Sequence, residues 1–98
     1  MGKLLAGKTA FITGGSRGIG ASIVRHFAEE GANVAFTYRK EAELAEGLAK
    51  EAQALGVKAI AYQADTADFE RAQSLISEVI ETFGNLDILI NNAGMNWD

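Results

Sequence analysis

Apolar residues along this chain fall into seven short patterns whose period switches back and forth between strand and helix. Thr9 to Thr13 (Thr-Ala-Phe-Ile-Thr) is a run of strand formers without alternation, as expected of a strand buried on both faces. From about Gly18 the period becomes helical. Ile19, Ile23 and Phe27 repeat every fourth residue, while Ser22, Arg25, His26 and Glu29 share the opposite, wetted face, and Gly31 ends the helix. A second strand is predicted over Asn33 to Tyr38. A second helix follows from Glu41 to about Leu55, with Leu44, Leu48, Ala52 and Leu55 on one stripe and Gly56 as its stop. Lys58 to Gln63 is the third strand. The polar break Asp65-Thr66-Ala67-Asp68 offers helix caps to a third helix whose Phe69, Ala72, Ile76, Val79, Ile80 and Phe83 form an apolar face closed by Gly84. Leu86 to Asn91 completes the series as a fourth strand.

Strands and helices alternating at these lengths imply a parallel sheet with right-handed crossovers, hence a doubly wound α/β domain. The expected strand order is 3-2-1-4, with helices one and two on one face and helix three on the other. Ligands in such sheets bind beyond the carboxyl ends of the strands where the order reverses. Both Gly14 to Gly20 and Asn91 to Gly94 belong at that reversal.

At 98 residues the chain is one small domain. Its net charge of −4, from nine basic and thirteen acidic residues, argues against a nucleic-acid or membrane-surface role. A small anionic ligand needs only local positive potential. The absence of cysteine removes disulfides and most zinc sites and suits a reducing compartment. Met1-Gly2-Lys3-Leu4-Leu5-Ala6 is too short an apolar run for a signal peptide and lacks the Ser or Thr of a myristoylation signal. A cytoplasmic location is the expectation.

The candidate chemistry sits in Thr13-Gly14-Gly15-Ser16-Arg17-Gly18-Ile19-Gly20. A backbone that turns sharply out of a strand and presents bare N–H groups to an anion needs residues without a Cβ, and the next helix N-terminus adds favourable partial charge. The spacing Gly-x-x-x-Gly-x-Gly is neither the common Gly-x-Gly-x-x-Gly fingerprint nor a Walker A loop. Its place after a strand and before an amphipathic helix marks it as a phosphate cradle.

Thr13-Gly14-x-x-x-Gly18-x-Gly20 together with Asn91-Asn92-Ala93-Gly94 resembles the short-chain dehydrogenase/reductase family, from Leu5 to Asp98. Within it the wording of the loop is most similar to the β-ketoacyl-acyl-carrier-protein reductases of fatty-acid biosynthesis. The resemblance implies a Rossmann-like fold and reduction of a carbonyl by hydride from a nicotinamide cofactor. It places Gly14, Ser16, Arg17, Gly18 and Ile19 along the diphosphate and adenosine ribose, with Gly20 letting the first helix pack close. Asp65 would bond the adenine amino group with Thr66 beside it, although a turn or capping aspartate reads equally well. Asn92, Ala93 and Gly94 would lie along the ribose toward the nicotinamide, whereas Asn91 also reads as a strand-end residue.

Cofactor choice follows from charge. A carboxylate ending strand two would repel the extra phosphate of NADP; here Tyr38, Arg39 and Lys40 stand there, with Arg17 in the loop, and the first acid is Glu41. NADP(H) is therefore expected, against the plainer reading of Arg39 and Lys40 as a solvated helix start. His26 reads as a surface residue, and Glu41, Glu43, Glu46 and Glu51 as a charged outer face. Trp97 would reshape a substrate entrance or cover apolar surface.

The family's catalytic Ser, Tyr and Lys have no counterpart here. Lysine would follow tyrosine by four residues, yet Tyr38 is followed by Ala42 and Tyr62 by Thr66. No catalytic residue is assigned, and the chain is expected to be the N-terminal, cofactor-binding part of a reductase, inactive alone. Leu86, Ile88, Leu89 and Ile90 would then form an open apolar sheet edge, closed by self-association or by a C-terminal half. The alternative is a non-catalytic half-Rossmann module that binds nucleotide without turnover.

Overall fold

The uninterrupted apolar run of the first strand ends up at the centre of a four-stranded parallel sheet. The computed structural model describes residues 3–15, 18–65 and 68–92. In chain order the elements are β1 (Thr9–Thr13), α1 (Gly18–Glu29), β2 (Asn33–Tyr38), α2 (Ala42–Gln53), β3 (Ala59–Gln63), α3 (Phe69–Phe83) and β4 (Ile88–Asn91). The strand order is β3-β2-β1-β4, and every pairing is parallel. All five residues of β1 are buried, because both faces are covered.

Alternation along the strands divides the core in two. Ala10, Ile12, Val34 and Phe36 face α1 and α2, while Phe11 and Ala35 face Leu75 and Val79 of α3. Helices one and two thus share a face opposite helix three, as the pattern implies. Phe11 and Phe36 are almost fully enclosed, each contributing about 2–3 kcal/mol by the area it removes from water.

The helix faces differ from their expected stripes. On α1 the buried residues are Gly20, Ala21, Val24 and Ala28; Ile19 is 61% exposed, and Ile23 and Phe27 are only half-buried. Small residues let this helix lie close to the sheet, which rotates the bulkier stripe toward β4. On α2 the buried set is Ala45, Leu48, Ala49 and Ala52, leaving Leu44 and Leu55 largely exposed, the latter beyond the helix end. On α3 the anchors are Leu75 and Val79, and Ile80 faces solvent.

Boundaries shift where side chains replace backbone partners. The fourth strand begins at Ile88 rather than Leu86. Just before it, Thr9 N–H donates to the Asp87 carboxylate at 2.9 Å and the Thr9 hydroxyl donates to Asn85 Oδ1 at 3.0 Å. Asp68 caps α3 by accepting from the Arg71 N–H at 3.0 Å, worth about 1 kcal/mol, and Gly84 closes it in the left-handed conformation with φ 90°.

Tyr62 on β3 packs against α3. Burial raises its phenol above the ordinary tyrosine value; a hydrogen bond with Thr82 opposes the rise and the nearby Glu78 charge adds to it. The folded state therefore keeps this proton to higher pH than the unfolded chain does. Stability from this group is intact below pH ~10 and falls as pH rises through the folded pKa. Urea unfolding at pH 8 and pH 11 should show a smaller alkaline loss in Tyr62→Phe than in the parent chain.

Candidate functional site

The glycine-rich loop leaves β1 at Thr13 and enters α1 at Gly18, so its position follows from the central strand. Gly14 and Gly18 have φ of +67° and +61°, a region that side-chain-bearing residues seldom occupy. The Gly14 N–H donates to the Thr37 hydroxyl at 2.8 Å and the Gly15 N–H to the Thr37 carbonyl at 3.0 Å. These two amides hold the loop to β2 and are not available to an anion, while those of Ser16 and Arg17 lie outside the described residues. The first turn of α1 adds N–H groups that have no carbonyl within the helix to bind.

Close approach explains the remaining glycines. A Cβ on Gly20 would lie 2.1 Å from the Gly14 carbonyl oxygen and 2.9 Å from Asn92 Nδ2. A Cβ on Gly15 would meet Phe36 Cβ at 2.7 Å, a constraint that the motif does not express. Only a bare backbone fits in either place.

The two motifs meet at the sheet reversal. Thr13 and Asn91 are partners in the β1–β4 register, and the Thr13 hydroxyl donates to Asn91 Oδ1 at 3.1 Å. Asn92 Nδ2 donates to the Gly14 carbonyl at 3.1 Å across 78 residues of sequence. Asn91 and Asn92 therefore hold the loop from one side as Thr37 does from the other. Thr37 carries no motif of its own; only strand pairing brings it there.

The ends of β2 and β3 form the rest of the site. Tyr38 is half-buried against the α1–α2 side of the core, and Arg39 and Lys40 are exposed. Ala64 N–H donates to the Tyr38 carbonyl at 2.9 Å, and Gln63 Nε2 donates to the Arg39 carbonyl at 3.1 Å. Arg39, Lys40, Gln63, Ala64, Asp65 and Arg71 line a cleft of about 490 Å³. Asp65 also borders a second cavity of about 280 Å³, with Thr13, Thr37, Leu89 and Asn91 on its walls. Nothing in the sequence motifs points to Arg71. Its place in the cleft comes from the packing of α3.

Gly14, Gly18, Ile19 and Gly20 thus share the loop with Asn92, while Tyr38, Arg39, Lys40 and Asp65 gather at the neighbouring strand ends. Ser16, Arg17, Thr66, Ala93, Gly94 and Trp97 lie outside the described residues. His26 is on the surface as expected. Among the described residues no cluster of His, Asp or Glu is suited to a metal ion, and no helix is long and apolar enough to cross a membrane.

Chemically, the arrangement offers a close-packed glycine turn, helix N–H donors and a basic cleft side by side. A Cβ at Gly15 or Gly20 would collide with the protein's own Phe36 side chain or Gly14 carbonyl, and the charge of the cleft suits a phosphorylated nucleotide. Residues 8–98 match the family described as short chain dehydrogenase. The chain is 48% identical over 91 residues to the 3-oxoacyl-[acyl-carrier-protein] reductase FabG of Staphylococcus aureus, covering 93% of this chain and 37% of that protein. A short chain dehydrogenase from Burkholderia cenocepacia J2315 in complex with NADP superposes with a TM-score of 0.90 at 53% identity, over 93% of this chain and 37% of that one. A blue fluorescent protein from a metagenomic library, in complex with NADPH, gives a TM-score of 0.88 at 46% identity, over 95% and 38%. The chain therefore spans little more than a third of the length of these relatives.

Proposed function

The chain belongs to the short-chain dehydrogenase family, and from that premise we propose that it is the NADP(H)-holding part of a carbonyl reductase. One observation carries the reading: the Thr13–Asn91 and Gly14–Asn92 hydrogen bonds join the glycine loop to the Asn-Asn-Ala-Gly motif at the reversal of strand order. In this reading Gly14, Ser16, Arg17, Gly18 and Ile19 cradle the diphosphate, and Gly20 keeps α1 against the loop. Asp65 and Thr66 receive the adenine, and Asn92, Ala93 and Gly94 the ribose and nicotinamide. Tyr38, Arg39 and Lys40 surround the adenosine ribose and its phosphate.

The bound cofactor would supply hydride to a carbonyl carbon. No residue of these 98 is assigned to proton delivery, so turnover depends on further residues and the chain alone binds without reducing. A 3-oxoacyl thioester is the substrate class supported by the 48% identity to the staphylococcal reductase. The absence of cysteine is in keeping with a cytoplasmic setting. In a second reading, a nucleotide-binding half-module, β4, which among the described residues pairs with β1 alone, would take a second copy along its outer edge.

Calorimetric titration with NADPH and NADH tests the reading. NADPH is expected to bind at least about tenfold more tightly, a difference of about 1.4 kcal/mol. Equal affinities would overturn the basic-pocket argument. Binding of neither would overturn the cradle.

A further inference from the structure

Three of the nine basic residues in a chain of net charge −4 line one cleft: Arg39 and Lys40 after β2, and Arg71 in the first turn of α3. Asp65 is the one carboxylate among the described lining residues. Short links hold the backbone on which Arg39 and Arg71 stand. Gln63 holds the Arg39 carbonyl, Asp68 N–H donates to the Asp65 carbonyl at 2.9 Å, and the Asp68 carboxylate caps the Arg71 N–H.

Helix stability does not account for Arg71. A cation in a first turn faces the positive end of the helix dipole, where Asp68 and Glu70 are the favourable residues. Its ion pair with Glu78 is long, at 3.8 Å, with side chains 40% and 47% exposed, so it holds the guanidinium only weakly. Like charges gathered without a helical benefit are best explained by an anion that they share. A guanidinium can meet phosphate oxygens with two parallel hydrogen bonds, which a lysine cannot.

We propose that Arg71 is a specificity-determining residue that, with Arg39 and Lys40, engages a phosphate monoester on the ribose of a bound nucleotide. This inference rests on the NADP(H) reading above and adds a residue from α3 to it. A flat guanidinium stacked on adenine would serve phosphorylated and unphosphorylated cofactors alike. The phosphate assignment predicts discrimination between them.

Two measurements on the 98-residue chain separate the possibilities. Arg71→Gln should lower NADPH affinity about fivefold and leave NADH affinity unchanged, with Arg71→Lys between the two. Its thermal midpoint should equal or exceed that of the parent, because an unfavourable first-turn charge is gone. In the second, adenosine 2′-monophosphate should shift the Arg71 Nε–Hε resonance, and adenosine should not. Equal losses for NADPH and NADH, or no loss for either, would overturn the proposal. If neither dinucleotide binds but adenosine 2′-monophosphate still shifts Arg71, the glycine cradle fails and the Arg71 assignment stands. An unmoved resonance removes the assignment whatever the dinucleotides do.

Discussion

Gly20→Ala is expected to destabilise the chain by about 3 kcal/mol and to abolish measurable NADP(H) binding. The added methyl carbon would sit 2.1 Å from the Gly14 carbonyl oxygen, with Asn92 Nδ2 at 2.9 Å. The obstacle is backbone, so no side-chain rotation relieves it. Either α1 moves away from the loop or Gly14 leaves its place, and each breaks the hydrogen bonds that Gly14 donates to Thr37 and accepts from Asn92. Helix propensity works the other way, since alanine is better than glycine in a helix by about 1 kcal/mol. The clash is the larger of the two. Gly47, in the middle of α2 with nothing within 4 Å of its would-be Cβ, isolates the propensity effect. Gly47→Ala should therefore stabilise by up to about 1 kcal/mol while leaving affinity intact. Urea unfolding and calorimetry on the two variants check both halves. An unchanged midpoint and retained binding in Gly20→Ala would show that the close contact does not hold the loop.

That opposite behaviour of two helical glycines indicates where the sequence is readable and where it is not. Periodicity, glycine stops and the absence of proline were sufficient for seven elements, their parallel pairing and the order β3-β2-β1-β4. They did not decide which of two neighbouring stripes on α1 faces the sheet. Ile19, Ile23 and Phe27 have the stronger hydrophobic signal, yet the helix approaches through Gly20, Val24 and Ala28 because the loop contact at Gly20 brings it close. Leu44 and Leu55 misled in the same way on α2. Within the site, a spacing motif marks glycines that must be bare but not what fastens them. Thr37 reaches Gly14 through strand pairing, 23 residues away, and Arg71 reaches its cleft through the seating of α3. Both positions depend on tertiary packing, which local pattern does not encode.

At micromolar concentration and above, the 98-residue chain is expected to associate through β4. Among the described residues this strand pairs with β1 alone, so its outer row of N–H and C=O groups has no strand partner there. Its residues Ile88, Leu89, Ile90 and Asn91 include no charge to deter pairing. Leu89 is 53% exposed on the α3 side, and on the other side Ile90 borders a groove of about 800 Å³ shared with Ile19, Ile23 and Phe27. A second copy of the chain is the occupant expected there. Burying a leucine fully is worth about 1.5–3 kcal/mol, so two half-exposed Leu89 side chains would contribute about 2 kcal/mol to a symmetric pair, enough for more than tenfold in affinity. Leu89→Lys removes that term and places charge on the edge while leaving the half-buried Ile88 and Ile90 on the other face unchanged. Sedimentation velocity should find concentration-dependent association in the parent chain and a monomer in Leu89→Lys at the same concentration. A parent chain that stays monomeric throughout would mean that the edge is closed by its own side chains, and an associating Leu89→Lys would move the contact to another surface.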